Sequence, residues 1–491
     1  MTAGGVSGAA ADPDASPSAW TDAPVIAARR NEKWAMMLRA WPGGVSSSSS
    51  SSRVNDVVKK RARKGVPLSL RAAVWLRLAT GREDGLSEGS ALFSDLLAGA
   101  IPPESEGGST PRTAVDPVLL AALSAGNARA PVDGAASPVE VRPPVAPDVL
   151  AAVARDIART FPRHALFVTR RGEHGDDDSA SSRCGSSFTS PGQAALARML
   201  VAYARGDPRV GYCQGLNFIA ALLLLVSTGT SSIPLVSSDG PQPEVTDCSM
   251  WVTPAAEAAA FAMLWAVMAP ARAASKAANE SSARAADAAP PPPSMAVLFL
   301  PGLPRLTALL HVLSGLVNAR LPALAAAFSA HGVVPSMWAT QWLMTVFSYS
   351  LPLAAVVRIW DSFLAEGWKV PLRAALALLV AHERELLAAA AERGFEGLLM
   401  TLQSIPSRPP ATTPARLMLD AFALKHFPWG KCADLLTEEA WLRETGRDAD
   451  AGGWKAGTFL RAIPAQDLKR LRALIVKEDH EVDGEPAAAG E

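Results

Sequence analysis

Apolar residues along this chain recur at helical spacing, in segments separated by long polar or small-residue stretches. In Asn31–Trp41, residues Trp34, Met37, Leu38 and Trp41 form an i, i+3, i+4, i+7 set, the stripe of an amphipathic helix. Asp148 reads as the N-cap of the next helix, with Leu150, Val153, Ala154 and Ile157 on one face. Pro162 drives Phe161 away from helical backbone, so that helix is predicted to end near Thr160. Gln193–Arg205 is another helix, stopped by Gly206. Asp207 and Pro208 then read as the N-cap and first residue of an apolar helix reaching about Val226. Further periodic segments cover 255–269, 305–317, 321–330, 336–349, 353–365 and 371–391, punctuated by Gly332, Pro335, Pro352 and Gly367. Weaker patterns follow at 415–425, 435–444 and 466–478. No stretch alternates as a strand would, and the expected class is all-α.

The intervening stretches hold too few apolar residues to offset the entropy of ordering them. They include the Ala/Gly/Pro/Ser-rich start, the serine run Ser46–Ser52, the polar stretch from Gly172 to Ser190 and the prolines Pro290–Pro293. At ~150 residues per domain the 491 residues allow about three domains, or one large domain with insertions.

Charge narrows the partners. The 47 Lys+Arg balance 47 Asp+Glu, so no net field draws the chain to nucleic acid or to an acidic bilayer. Cys184, Cys213, Cys248 and Cys432 are scattered without a CxxC pair, which disfavours a structural zinc site and a disulfide scaffold. The N-terminus lacks the basic and apolar regions of a secretory signal. The longest apolar runs, Phe218–Val226 and Ala374–Ala381, fall short of the ~20 residues that span a bilayer, so no transmembrane segment is expected. The expectation is a soluble protein of a reducing compartment.

Chemistry is sparse. There is no GxxxxGK[ST], HExxH or GxSxG motif, no GxGxxG between a strand and a helix, and the seven histidines are dispersed. A self-contained hydrolase or nucleotide-binding enzyme is disfavoured. Two placements stand out instead. Asp156 and Arg159, three apart, share a helix face turned away from the Leu150/Val153/Ile157 stripe. Taken alone, such a pair near a helix C-terminus is ordinary surface decoration. In Gly211-Tyr212-Cys213-Gln214-Gly215, two glycines near a helix start cost about 1 kcal/mol each relative to Ala, which suggests close backbone approach to something or tight helix packing. Gln214 in an otherwise apolar helix has an ordinary explanation as a buried, hydrogen-bonded amide.

Together these segments resemble a family. Asp156-Ile157-Ala158-Arg159-Thr160-Phe161-Pro162, preceded by Val153, resembles the IxxDxxRTFP motif of TBC-domain GTPase-activating proteins for Rab GTPases. Gly211–Asn217 is similar to that family's YxQ motif, and Lys64-Gly65-Val66-Pro67 with Leu70-Arg71 and Val74-Trp75 to its opening GIPxxLRxxxW signature. Gly332, Pro335, Trp342, Phe347, Arg358-Ile359-Trp360-Asp361 and Glu366-Gly367 follow its later pattern in order. Four motifs in the right order make the match specific over roughly residues 30–400.

The resemblance implies a two-lobed, all-helical domain over 27–430, with insertions at about 81–147, 172–190, 227–250 and 271–294. A disordered tail would occupy 1–26, and a C-terminal helical extension 431–491. It also implies that Arg159 is an arginine finger and Gln214 a glutamine finger, supplied in trans to a GTP-bound Rab-family GTPase. Asp156 would orient Arg159, and Tyr212 would place the Gln214 segment. Arg163 and His164, just past the finger, and Asn217 would meet the partner, whereas Arg71, Trp75, Trp360 and Asp361 would be mainly structural. No cofactor of its own is expected, because GTP and Mg²⁺ come with the GTPase. The implied setting is vesicle trafficking in the cytoplasm, with peripheral recruitment to endomembranes left open. Val153 stands where the family has Ile, and 172–190, with Asp176–Asp178, falls between the two fingers; it is expected to loop outward. The rival expectation is a non-catalytic Rab-binding scaffold or effector, which would have no chemical need for either finger.

Overall fold

The computed structural model describes residues 24–40, 50–80, 85–98, 143–168, 190–230, 251–268, 295–407 and 414–424. Among them there is no strand, and the fold is all-α as expected. The α-helices are α1 (Pro24–Ala40), α2 (Ser50–Lys64), α3 (Leu68–Thr80), α4 (Gly85–Leu97), α5 (Pro147–Ala158), α6 (Pro191–Gly206) and α7 (Leu216–Ser227). They continue with α8 (Pro254–Met268), α9 (Pro304–Arg320), α10 (Pro322–Ala330), α11 (Thr340–Met344), α12 (Leu353–Glu366), α13 (Lys369–Ser404) and α14 (Pro414–Ala423). Seven of these, α1, α5, α6, α8, α9, α10 and α14, begin on a proline, whose fixed φ suits the first helical turn and whose missing N–H is no loss there.

The helices pack in two groups. In the first, α8 lies against α3, α4 and α7, and α6 against α4, α5 and α7. In the second, α13 packs on α9, α10, α11 and α14. α12 is the seam, touching α2 and α3 on one side and α13 and α14 on the other. One continuous apolar core runs through both groups, with α7 buried from Leu216 to Val226 at its centre. A smaller cluster of Trp34, Met37, Val58, Ala62, Val66 and Val74 lies beneath α1 and α2. Its first two members belong to the stripe read from the sequence; Trp41 lies outside the described residues. No single described helix is long and apolar enough to cross a membrane.

Several local expectations are corrected. Asp148 is not an N-cap: Ala146 holds that position, Pro147 opens the helix, and Asp148 sits in the first turn, where its charge faces the positive end of the helix dipole. Asp207 starts no helix either. Its N–H caps α6 by binding the Tyr203 carbonyl, and the chain turns until α7 begins at Leu216. The segment 336–349 is a 3₁₀ turn, the short α11 and a run of turns, in which Val346 and Phe347 take positive φ values of 46° and 63°. Gly85–Leu97, grouped by composition with an insertion, is a core helix whose Phe93 ring stacks on Phe261 at 4.6 Å. The patterns at 435–444 and 466–478, and the insertion 172–189, lie outside the described residues.

A buried carboxylate closes the seam. Asp361 on α12 has no exposed surface and accepts hydrogen bonds from the Val66 N–H (2.8 Å), Trp75 Nε1 (2.8 Å) and Arg71 Nε (3.2 Å). Arg71 also donates to the Val66 carbonyl at 2.7 Å, and the Trp75 ring stacks on Trp360 with centroids 5.8 Å apart. The opening motif and the Arg-Ile-Trp-Asp motif are thus one structural unit. Gly65, with φ 103°, ends α2 at this junction, and a Cβ there would fall 1.5 Å from Arg358 Nη1. At the end of α12, Glu366 pairs with Arg63 (2.5 Å) and Lys369 (2.6 Å).

Removing the acceptor strands a buried guanidinium, an indole N–H and a backbone N–H. Asp361→Ala is therefore expected to cost about 3–5 kcal/mol of unfolding free energy, read from urea denaturation. Glu366 gives a pH signature. Burial alone would raise its carboxyl, but hydrogen bonds from Arg63 and Lys369 outweigh burial and hold it below the ordinary value of 4.5. Its contribution to stability is complete above about pH 4.5 and is lost as pH falls through the lowered value. Glu366→Gln should flatten the acid limb of a stability–pH curve and leave its neutral limb parallel to wild type.

Candidate functional site

α5 ends where the first finger motif begins. Ala158 is its last residue, and Arg159 takes the C-cap position with φ −100° and ψ 3°. Thr160 folds back, its Oγ1 donating to the Asp156 carbonyl at 2.6 Å. Phe161, before proline, has a left-handed φ of 44°, a conformation that costs an L-residue roughly 1–2 kcal/mol. Aromatic packing holds it there: its ring lies edge-on to Phe218 (5.5 Å) and tilted against Phe167 (6.2 Å).

Asp156 organises the site. It is only 6% exposed, so its side of the helix faces inward rather than away from the core as the stripe had suggested. One carboxylate oxygen pairs with Arg159 Nη2 at 2.6 Å, and the other accepts the Tyr212 hydroxyl at 2.5 Å. The Arg159 side chain remains 51% exposed. The Tyr212 phenol is pushed up, first by burial and then by its hydrogen bond to Asp156, so it stays protonated and a donor. The neighbouring Cys213 thiol is also pushed up, by burial and then by the Asp156 charge.

A second bridge runs parallel to the first. Asn217 Nδ2 donates to Thr160 Oγ1 (2.7 Å), and Asn217 Oδ1 accepts the Gly215 N–H (3.0 Å). The two motifs, 50 to 60 residues apart in sequence, are therefore tied by Asp156–Tyr212 and by Thr160–Asn217–Gly215. Gln214 is exposed in the turn before α7, not part of an apolar helix. The glycines flanking it serve the backbone: φ is 56° at Gly211 and 109° at Gly215. Added Cβ atoms would meet nothing closer than 3.9 Å and 3.5 Å, so tight helix packing within the chain is not what these glycines serve.

The expected partner-facing residues separate. Arg163 is exposed beside the finger turn, as a contact residue would be. Asn217 is fully buried and serves as the clamp just described, so it cannot touch a partner. His164 is buried too: its Nδ1 accepts the Leu166 N–H (3.2 Å), and its Nε2 lies 3.1 Å from the Thr230 carbonyl. Sequence reading also missed Tyr349, half exposed and edge-on to Phe218 at 4.8 Å. Nothing in the local pattern of 345–350 signals it, because the positive-φ turns there defeat periodicity. Among the described residues no group of three His, Cys, Asp or Glu side chains could hold a metal.

The family model of the Rab-GTPase-TBC domain matches residues 146–238 and 292–387, segments that hold both finger motifs and the Asp361 unit's second half. Those two segments are similar to a TBC domain. Human growth hormone-regulated TBC protein 1 is 25% identical over 366 residues, a stretch covering 74% of this chain and 73% of that protein. The human ecotropic viral integration site 5 protein homolog is 26% identical over 274 residues; there the match covers 56% of this chain and spans only a quarter (25%) of the relative's length. The crystal structure of the Ypt/Rab-GAP domain of Gyp1p superposes with a TM-score of 0.50 at 17% identity, covering 81% of this chain and 98% of that one. That likeness supports a TBC fold. The opening motif Lys64–Trp75 precedes the matched segments and is hydrogen-bonded to Asp361 within the second of them.

Burial lowers the His164 imidazole below 6.5, with the Thr230 carbonyl opposing, and the Leu166 N–H holds the neutral Nε2–H tautomer. A lowered folded value means that the unfolded chain binds the proton more readily. Stability should therefore decline as pH falls below about 6.5, a slope seen in urea titrations of wild type and absent from His164→Asn.

Proposed function

We propose that this chain is a GTPase-activating protein for a Rab-type small GTPase, donating Arg159 and Gln214 to the nucleotide of the GTP-bound partner. The observation that carries the reading is the Asp156 carboxylate, which spends one oxygen on Arg159 and the other on Tyr212. The guanidinium and the turn bearing Gln214 thereby belong to one hydrogen-bonded unit, and both side chains are exposed. The family match and the Gyp1p domain's description as a Ypt/Rab-GAP support it.

The chemistry is phosphoryl transfer to water, in which charge grows on the γ-phosphate and bridging oxygens. A planar, permanently charged guanidinium can fork across those oxygens, and its five N–H donors leave several for the phosphate beyond the bond to Asp156. Gln214 would orient the attacking water in place of the GTPase's own glutamine. The strained, packed Phe161 turn and the Asp156 pair fix the base of the finger, so the backbone that carries the positive charge needs no reorganisation. GTP and Mg²⁺ belong to the partner, and the chain contributes no cofactor. With this activity the proposed setting is the cytoplasm and the control of vesicle traffic, with peripheral recruitment to endomembranes open.

Single-turnover GTP hydrolysis across a panel of Rab GTPases tests the reading. Wild type should accelerate at least one, and Arg159→Ala should lose about 10³–10⁵ of that acceleration. Gln214→Ala should also fall steeply. Tyr212→Phe, which removes one hydrogen bond from Asp156, should lose only about tenfold. If wild type accelerates no member of the panel while one still binds, the protein is a scaffold instead.

A further inference from the structure

The zero net charge of the chain conceals a strongly polarised corner. Helices α1 and α2 carry ten basic residues, Arg29, Arg30, Lys33 and Arg39 on the first and Arg53, Lys59, Lys60, Arg61, Arg63 and Lys64 on the second, against only Glu32 and Asp56. Arg63 is turned aside to Glu366. Five of the others converge: Arg29, Arg30, Lys33, Arg61 and Lys64 line a cavity of about 410 Å³ with Trp34. No acidic side chain is among its described lining residues.

The floor is fixed. Trp34 is buried, its Nε1 donating to the Gly65 carbonyl at 3.2 Å, and Arg61 Nη1 donates to the Lys33 carbonyl at 2.7 Å, which ties the two helices together across the pocket. Arg29, Lys33 and Lys64 are exposed, so their charges reach the opening. Five like charges around one concavity repel one another, and a bound anion relieves that repulsion.

We infer that this pocket binds a compact ring bearing several phosphate monoesters, the chemistry of an inositol polyphosphate, either free or as the headgroup of a membrane lipid. A phosphate monoester carries about −1.5 to −2 at neutral pH, so about three match the five cations. The cavity is of small-ligand size. A single-stranded nucleic acid fits poorly, since it needs a long track and exposed aromatic faces, whereas Trp34 is buried. The pocket is built from α1 and α2, apart from the Arg159 turn, and the inference does not depend on the GTPase reading.

The test uses the full chain and the double variant Lys33→Glu/Lys64→Glu, two exposed side chains that bond neither Asp361 nor Asp156. Calorimetric titration with inositol hexakisphosphate should show saturable binding by wild type, weakened at least about tenfold in the variant with its circular dichroism unchanged. Flotation with phosphatidylcholine vesicles containing a bisphosphorylated inositol lipid then separates the sources: flotation of wild type but not of the variant assigns the headgroup, and titration without flotation assigns the free ligand. The inference is overturned if wild type binds neither, if the variant binds as well as wild type, or if phosphatidylserine vesicles of equal surface charge float it equally.

Discussion

A carboxylate with no access to water is the constraint on which this fold rests. Burying Asp361 is tolerable only because both of its oxygens are hydrogen-bonded, and the donors come from a segment some 290 residues earlier: Val66, Arg71 and Trp75. The sequence therefore cannot close α12 against α3 in any register but one. α12 touches both helical groups, so fixing it fixes their junction as well. Replacing the charge by apolar groups could give equal stability in principle, yet would lose this uniqueness of register, which packing between Ala- and Leu-rich helices specifies weakly.

Asp156 repeats the arrangement on a smaller scale and at the surface. Where Asp361 is wholly enclosed, Asp156 is buried while one of its partners, Arg159, extends half into solvent. The difference in burial separates the roles: the first carboxylate joins helices, and the second aims a cation. Both also engage residues distant in sequence, Tyr212 for Asp156 and Val66, Arg71 and Trp75 for Asp361, and helix spacing discloses only the local Asp156–Arg159 pair.

Helical periodicity located most helices, since an apolar stripe is a local property and the core is continuous. It failed where backbone conformation rather than burial decided the structure. The start of α7 was misplaced because Asp207-Pro208 carries a helix-start signature, while the left-handed glycines 211 and 215 force a turn that no stripe records. The 345–350 turns were missed for the same reason, with Val346 and Phe347 at positive φ. α4 was lost because its polar flanks outweighed Leu92, Phe93, Leu96 and Leu97 in a compositional reading. At the site, Asp156, Arg159, Tyr212 and Gln214 were named through the motifs, which encode spacing and chemical type. Asn217 was misassigned because a motif does not say whether a polar side chain points to a partner or back to Thr160.

The aromatic contacts around Phe161 carry one more consequence. Phe161 lies on Phe218 of α7, and Phe218 lies on Tyr349 beyond α11, so the turn behind Arg159 is joined through two ring contacts to the second helical group. Freezing the loop that bears a charged side chain normally subtracts from the free energy of a complex at the moment of encounter. Here the loop loses its freedom when the chain folds, and the cost is charged to folding rather than to association. A partner arriving at this surface meets a guanidinium whose backbone has already been immobilised, and what remains to be ordered is the side chain alone.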